Sequence, residues 1–329
     1  MAILIDTHLH VYRHEFDGDR DEVRERAWSA GVGAFLHVGY NAETIHQAQE
    51  ICQRDEWSWA SAGLHPHDAA DWNAELEDLI RGLAREGKII AIGECGLDYY
   101  RDLSPRDAQD AAFRAQIRLA KECDLPMIHH VRDAWSEARA VLDEEGLPPR
   151  RGIFHAFAGD GDFARWAVDE GYRLGIGGVL TYKSAHLPEA IEGLPPEALF
   201  METDAPWLPP QPWRGKRNEP AYLRHTAAAL ADRLGCSVDE LSEIQAALPK
   251  LVETTLNSLQ RVRELESATE DVALIDTKAE FSQVGLTAGK NYSAAVEAAG
   301  RKSHDVGPPH LFVWGAVLTW LTGQEASGS

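Results

Sequence analysis

Cysteine is scarce in this chain: four residues in 329 (Cys52, Cys95, Cys123, Cys236), widely spaced and without a CxxC pair. A disulfide framework or a structural cysteine–zinc site is therefore not expected. Positive charge is short as well. The 32 Lys and Arg face 53 Asp and Glu, giving a formal net charge of −21. That balance excludes a protein that coats nucleic acid with a broad basic surface. It still admits a nucleic-acid enzyme whose positive field comes locally from a metal. No run approaches the ~20 apolar residues of a membrane helix. The most apolar stretch, 311–321, has 11 residues and contains Gly, Thr and two Trp. The opening MAILIDTHLH has neither the charged n-region nor the apolar h-region of a secretory signal. A soluble cytoplasmic protein that spans no membrane is the expectation.

What is present is a large core and a repeating order of elements. Hydrophobic residues make up 44% of the chain, enough for a globular fold. Near-continuous apolar runs at 2–6, 33–39, 57–65, 88–94, 125–130, 151–157, 172–178 and 198–204 read as strands buried on both faces. Helical stretches follow each one, near 20–30, 42–52, 72–85, 105–123, 134–145, 162–170, 186–192 and 220–234. Eight βα units imply an α/β protein with a parallel sheet, and the economical closure is a (β/α)8 TIM barrel. An open doubly wound sheet is the rival, weakened because no GxGxxG follows the first strand. Ser237 and Glu240 form a plausible capping box for a helix to about Leu248, with a second helix to about Leu265. The expected organisation is a barrel unit, 1–265, and a C-terminal extension, 266–329, of changed composition. In that extension Trp314, Val317, Leu318 and Leu321 share helical spacing, either packing back or forming a surface for a protein partner or self-association.

Metal-type residues fall at strand ends, which in a barrel converge on one mouth. His8 and His10 end the first strand, and an HxH on a strand puts both imidazoles on one side. Glu94 ends the fourth, His129 and His130 the fifth, His155 the sixth and Asp204 the eighth. Any one of these has an ordinary structural reading; their joint placement points to a metal site. Nitrogen and oxygen donors without thiolates suit divalent Mg, Mn or Zn. Six candidates exceed the needs of one catalytic ion, so two ions sharing a bridging carboxylate fit better. That is hydrolytic chemistry, most often on phosphoesters.

The motifs IDTHLH, GLHPH, IGECGLDYY, PMIHHVRDAW, FHAFAG, METDAPWL and RGKRNEP appear in this order over residues 1–262. Together they resemble the TatD family of metal-dependent deoxyribonucleases, two-metal (β/α)8 enzymes that commonly digest DNA from the 3′ end. The resemblance implies His8, His10 and Asp204 around a first ion, Glu94 as the bridge, and His130 and His155 around a second. It also selects His130 over His129, through the pattern His130-Val131-Arg132-Asp133-Ala134. Glu94 and Asp204 are the expected catalytic carboxylates. Glu202 is expected behind the ligands, or as a buried strand carboxylate. His65, Arg132, Arg214, Arg217 and Asn218 are expected on the substrate side, with Lys216 in the same basic loop. Trp207 and Trp213, like Tyr99 and Tyr100, either stack a splayed base or pack.

The reading is a DNase on single-stranded or frayed DNA ends, with a 3′–5′ exonuclease favoured. One rival is an amidohydrolase-like enzyme acting on a cyclic amide or ester, which would bridge its metals with a strand-four lysine. Glu94 occupies that place, and Lys88 lies at the strand's start. Another is a nuclease subunit docked into a larger complex by its tail.

Overall fold

The structure, a computed structural model, describes residues 3–244 of the chain. The apolar runs become eight strands: β1 (Leu4–Leu9), β2 (Val32–Gly39), β3 (Ser58–Ala62), β4 (Ile92–Asp98), β5 (Met127–Arg132), β6 (Gly152–Phe154), β7 (Arg173–Ile176) and β8 (Leu199–Met201). Helices follow each one: α1 (Arg20–Ser29), α2 (Ala42–Cys52), α3 (Ala74–Arg85), α4 (Arg106–Cys123), α5 (Trp135–Glu145), α6 (Gly161–Asp169), α7 (Leu187–Ala190) and α8 (Leu223–Leu234). The strands pair in parallel in strict sequence order. A doubly wound sheet would reverse its order at a switch point, so the fold is the expected (β/α)8 barrel.

Local chemistry sets the helix ends. At α2, Asn41 and Thr44 each accept the other's backbone N–H through a side-chain oxygen, closing a capping box. The box expected at Ser237 and Glu240 is present, with Glu240 N–H donating to Ser237 Oγ at 3.1 Å and Ser237 N–H to Glu240 Oε2 at 2.7 Å. Residues 238–244 are helical. The continuation to Leu248, the helix of 249–265 and the extension 266–329, including the Trp314–Leu321 face, lie outside the described residues. Among the described residues no helix is long and apolar enough to cross a membrane.

Three sequence-based strand ends shift at the mouth, β4 reaching farther than expected and β6 and β8 stopping earlier. The apolar run 88–94 suggests a strand ending at Glu94. The β4–β5 pairing instead runs Ile92–Asp98, and Glu94 lies inside the strand. The expected run stops at the first charge, but a barrel strand that feeds a site carries carboxylates within it. Regular pairing of β6 ends at Phe154, one residue before His155, and that of β8 at Met201, three before Asp204. The helix expected at 186–192 shrinks to the four residues of α7.

The barrel is joined between β1 and the chain just past β8. Asp204 N–H donates to the His8 carbonyl (2.9 Å) and His10 N–H to that of Ala205 (2.8 Å). Asp6, fully buried, fastens this seam. Its Oδ1 accepts from Thr203 N–H (2.9 Å) and His8 N–H (3.3 Å), and the Thr203 hydroxyl meets Oδ2 at 2.5 Å. Burial outweighs these hydrogen bonds and pushes the Asp6 carboxyl up to about 8.

Asp6→Ala is expected to cost about 2–4 kcal/mol, by leaving Thr203 unpaired in the interior. Asp6→Asn keeps shape and neutrality and costs less. A raised folded-state pKa means that the Asp6 contribution is full below its ordinary value of 3.8 and is lost as pH rises through about 8. Denaturant unfolding at pH 5 and pH 8.5 checks this: Asp6→Asn should flatten that fall, and an unchanged pH dependence would refute the assignment.

Candidate metal centre

His8 and His10 project from β1 to one side, their Nε2 atoms 3.1 Å apart. Asp204, held at a positive φ of 56°, brings Oδ1 to 3.5 Å from His10 Nε2 and 4.0 Å from His8 Nε2. Glu94 is the extra residue of a bulge, since Gly93 faces Ile128 and Cys95 already faces His129. A bulge re-aims a side chain. Here it sets Glu94 Oε2 3.4 Å from His8 Nε2, and Oε1 2.8 Å from His130 Nδ1, 3.6 Å from His65 Nε2 and 3.7 Å from His155 Nε2. Gly96 permits this close β4–β5 approach: at its φ of 148° a Cβ would stand 2.1 Å from the His130 carbonyl oxygen.

The structure thus gathers His8, His10, Glu94, His130, His155 and Asp204 at the mouth, bordered by His65 and Glu202. Among the described residues three trios have donor atoms within 4.8 Å of one another: His8–His10–Asp204, His65–Glu94–His130 and His8–His155–Glu202. His155 has its ring centre 6.3 Å from that of His130. It stacks on His8 at 3.4 Å, with Nε2 3.9 Å from Asp204 Oδ1, and so lies between the first two trios.

Outer partners decide which nitrogen of each ring faces inward. The Val38 carbonyl lies 2.9 Å from His10 Nδ1 and also accepts the Tyr12 hydroxyl. A carbonyl can only accept, so His10 carries its proton on Nδ1 and turns the Nε2 lone pair inward. Buried Glu202 favours the same sense for His155 by its charge, with Oε1 3.0 Å from Nδ1 but not aligned as a hydrogen bond. Gly175 makes room for it, because a Cβ there would lie 2.2 Å from Glu202 Oε2. Asp98 Oδ2, 3.2 Å from His130 Nε2, leaves that ring's Nδ1 lone pair toward Glu94. His65 is opposite in sense. Its Nδ1 accepts the His67 backbone N–H at 3.1 Å, so neutral His65 presents an N–H to Glu94 rather than a lone pair.

Inward lone pairs facing carboxylates repel unless a cation lies between them, so the residues present fit a divalent metal. The electrostatics agree. Burial pushes the Glu94 carboxyl up, but His8, His155 and His65 outweigh it and hold the group well below the usual range. Burial disfavours charge on His155 too, yet Glu202, Glu94 and Asp204 push its imidazole up to about 10. His8 and His65 are lowered, first by burial and then by a neighbouring imidazole, His155 and His130 respectively.

Other expected residues divide. His129 is fully buried, stacks on Phe154 at 4.8 Å, and is pushed by burial down to about 3, as a core side chain is. Arg132 stands exposed at the mouth with its guanidinium 3.9 Å from the centre of the Tyr100 ring. Arg214 lies farther along the loop, over Tyr182 at 4.6 Å. Arg217 and Asn218 make their contacts within the protein. Both Arg217 terminal nitrogens pair with Asp19 at 2.7 Å, which satisfies the charge expected to meet phosphate. Asn218 is fully buried and donates to the Thr203 and Trp207 carbonyls at 2.7 Å, holding the loop after β8. Trp213 packs face to face on Tyr222 at 4.3 Å, whereas Trp207 remains 40% exposed beside His10. Lys88 pairs with Glu86 at 2.6 Å and is exposed, in no position to bridge metals.

Sequence reasoning missed Asp98, His67 and Tyr12. Asp98 holds His130 and, at 2.8 Å, His67 Nε2. Strand alternation, which puts residues 94 and 98 on one side, was the available signal for it.

The family model for TatD-related DNases matches residues 5–253. The metal-dependent hydrolase YabD of Bacillus subtilis is 40% identical over 243 residues, 74% of this chain and 95% of its own. The 3′–5′ ssDNA/RNA exonuclease TatD of Citrobacter koseri is 39% identical, over 69% of this chain and 90% of its own. Among solved structures, the TatD homologue YjjV of Escherichia coli is similar, with a TM-score of 0.69 at 30% identity, covering 73% of this chain and 94% of that one. With that match and relatives of this identity, the chain belongs to the TatD-related DNase family of hydrolases.

Proposed function

We propose that this chain hydrolyses phosphodiester bonds at the 3′ ends of single-stranded DNA or RNA, the activity named for its Citrobacter relative. The observation that carries the reading is the set of inward imidazole lone pairs facing Glu94 and Asp204, beside a mouth rimmed by Arg132. His8, His10 and Asp204 would hold one divalent ion, His130 and His155 a second, and Glu94 both. Such ions supply Lewis acidity and acidify a bound water toward neutral pH.

The protein's own groups do the rest. The Val38 carbonyl, Glu202 and Asp98 hold the ligand rings in orientation. The Asp204 carboxylate would take the proton of the attacking water. Arg132 meets the charge growing on the phosphoryl oxygens, and the His65 Nε2–H offers a further donor into the same space. In-line attack releases a 5′-phosphorylated nucleotide and leaves a 3′-hydroxyl on the shortened strand. We assign this activity to the barrel unit within 1–265.

End-labelled single-stranded DNA with Mg²⁺, Mn²⁺, Co²⁺ or Zn²⁺, followed by analysis of product ends, tests the reading. Glu94→Ala should lose about 10³-fold or more in rate, and cleavage at the wild-type rate would sink it. Metal should also act without substrate: at about 100 times its Kd, a divalent ion stabilises the fold by about 2.7 kcal/mol. Calorimetry with chelator and then metal should show that rise in wild type and its loss in His10→Ala; no shift in wild type would count against the centre. Arg132→Ala is expected to lower kcat/KM by about 10²-fold. Arg217→Ala should lower stability by about 1 kcal/mol or less and leave kcat/KM nearly unchanged, and the reverse pattern would overturn the division between them.

A further inference from the structure

A cavity of about 360 Å³ opens beside the metal centre, on the β5–β8 side of the mouth. His130, His155 and Asp204 edge it, and Phe157, Val179, Leu187, Trp207 and Leu208 give it apolar walls. Trp207 and Leu208 are 40% and 39% exposed, so a sizeable apolar surface borders the reactive groups. Arg101 and Arg132, both exposed, stand at the rim.

These features limit the occupant. The polar side chains behind the walls are turned away from the space: Thr203 is bonded to Asp6 through both its amide and its hydroxyl, and Glu202 accepts the Ala156 N–H through Oε1 while its Oε2 is buried against Gly175. Beyond the rim arginines and the groups of the metal centre, no lining side chain is placed to read the hydrogen-bonding edge of a ligand. An occupant therefore has an apolar, stackable body and carries an anion that lies toward Arg132 and the metal centre. The volume is at the small end of ligand pockets, which run ~300–1,000 Å³.

Resting on the nuclease reading above, we propose that this cavity is a base-tolerant slot for the terminal nucleobase of the single strand, stacked on Trp207 while its phosphate lies at the metal centre. Every base has a π-face, so stacking without edge readout accepts all four. A base still paired in a duplex must first leave its stack, which costs about tenfold per step. The slot thus selects for strand state and not for sequence.

The test compares full-length protein with Mn²⁺ on two oligonucleotides, one ending in a normal nucleotide and one in an abasic residue. Wild type is expected to favour the base-bearing end by about 10- to 100-fold in kcat/KM, chiefly through KM. The four terminal bases should agree within about fivefold, because no wall group reads their edges. Two variants probe the slot. Trp207→Ala removes the stacking surface. Gly177→Leu fills the space: Gly177 lines the cavity, its φ of −96° suits any residue, and a Cβ there meets nothing closer than 3.9 Å. Both should bring the ratio toward one. Equal wild-type kcat/KM on the two oligonucleotides would overturn the slot and leave the nuclease reading standing. A strong preference for one base would overturn its tolerance. Failure to cut either oligonucleotide would overturn the nuclease reading itself.

Discussion

The mouth depends on the seam between the first and last strands. His8 and His10 lie on one side of it and Asp204 on the other, so the distances among them are only as well defined as the seam. Asp6 is the fastening. It is buried among groups that hold it at both oxygens, and Thr203, its partner, is adjacent to Asp204. Asn218 adds a second tie to the same loop from fifteen residues downstream. Non-polar packing positions strands to within a side chain's width. Buried hydrogen bonds of fixed length then bring three donors from two distant segments within reach of one ion.

The second constraint is charge. Glu94, Asp98, Glu202 and Asp204 meet six imidazoles in a space largely shut off from water. In a medium of low polarity such charges must be neutralised on the spot. The outer carboxylates, Asp98 and Glu202, are matched by the far nitrogens of His130 and His155. Glu94 and Asp204 are left facing lone pairs, and a metal completes their balance. The net charge of −21 is therefore compatible with a nucleic-acid substrate, because the attraction acts at a cationic centre and a few arginines.

The barrel was legible because eight buried parallel strands must be written as apolar runs and their connections as amphipathic helices. The donor cluster was legible because barrel topology converts strand-end positions into a single place. The limits of the strands at the mouth were not. Glu94 looked like an end because it breaks an apolar run, whereas the bulge that turns it inward is a property of the β4–β5 pairing. Arg217 and Asn218 show the same limit from the other side. In sequence they sit in a basic loop beside a metal-type residue, as phosphate binders would. Asp19, which neutralises Arg217, lies about two hundred residues away in the chain, and no local pattern announces it.

The donors that straddle the seam have one more consequence. His8 and His10 emerge from the ribosome first, and Asp204 only after most of the barrel. A nascent chain cannot assemble the first trio until its eighth strand is available to pair. The trio of His8, His10 and Asp204 therefore comes into being only with the closing of the ring, as the last-made part of the barrel meets the first.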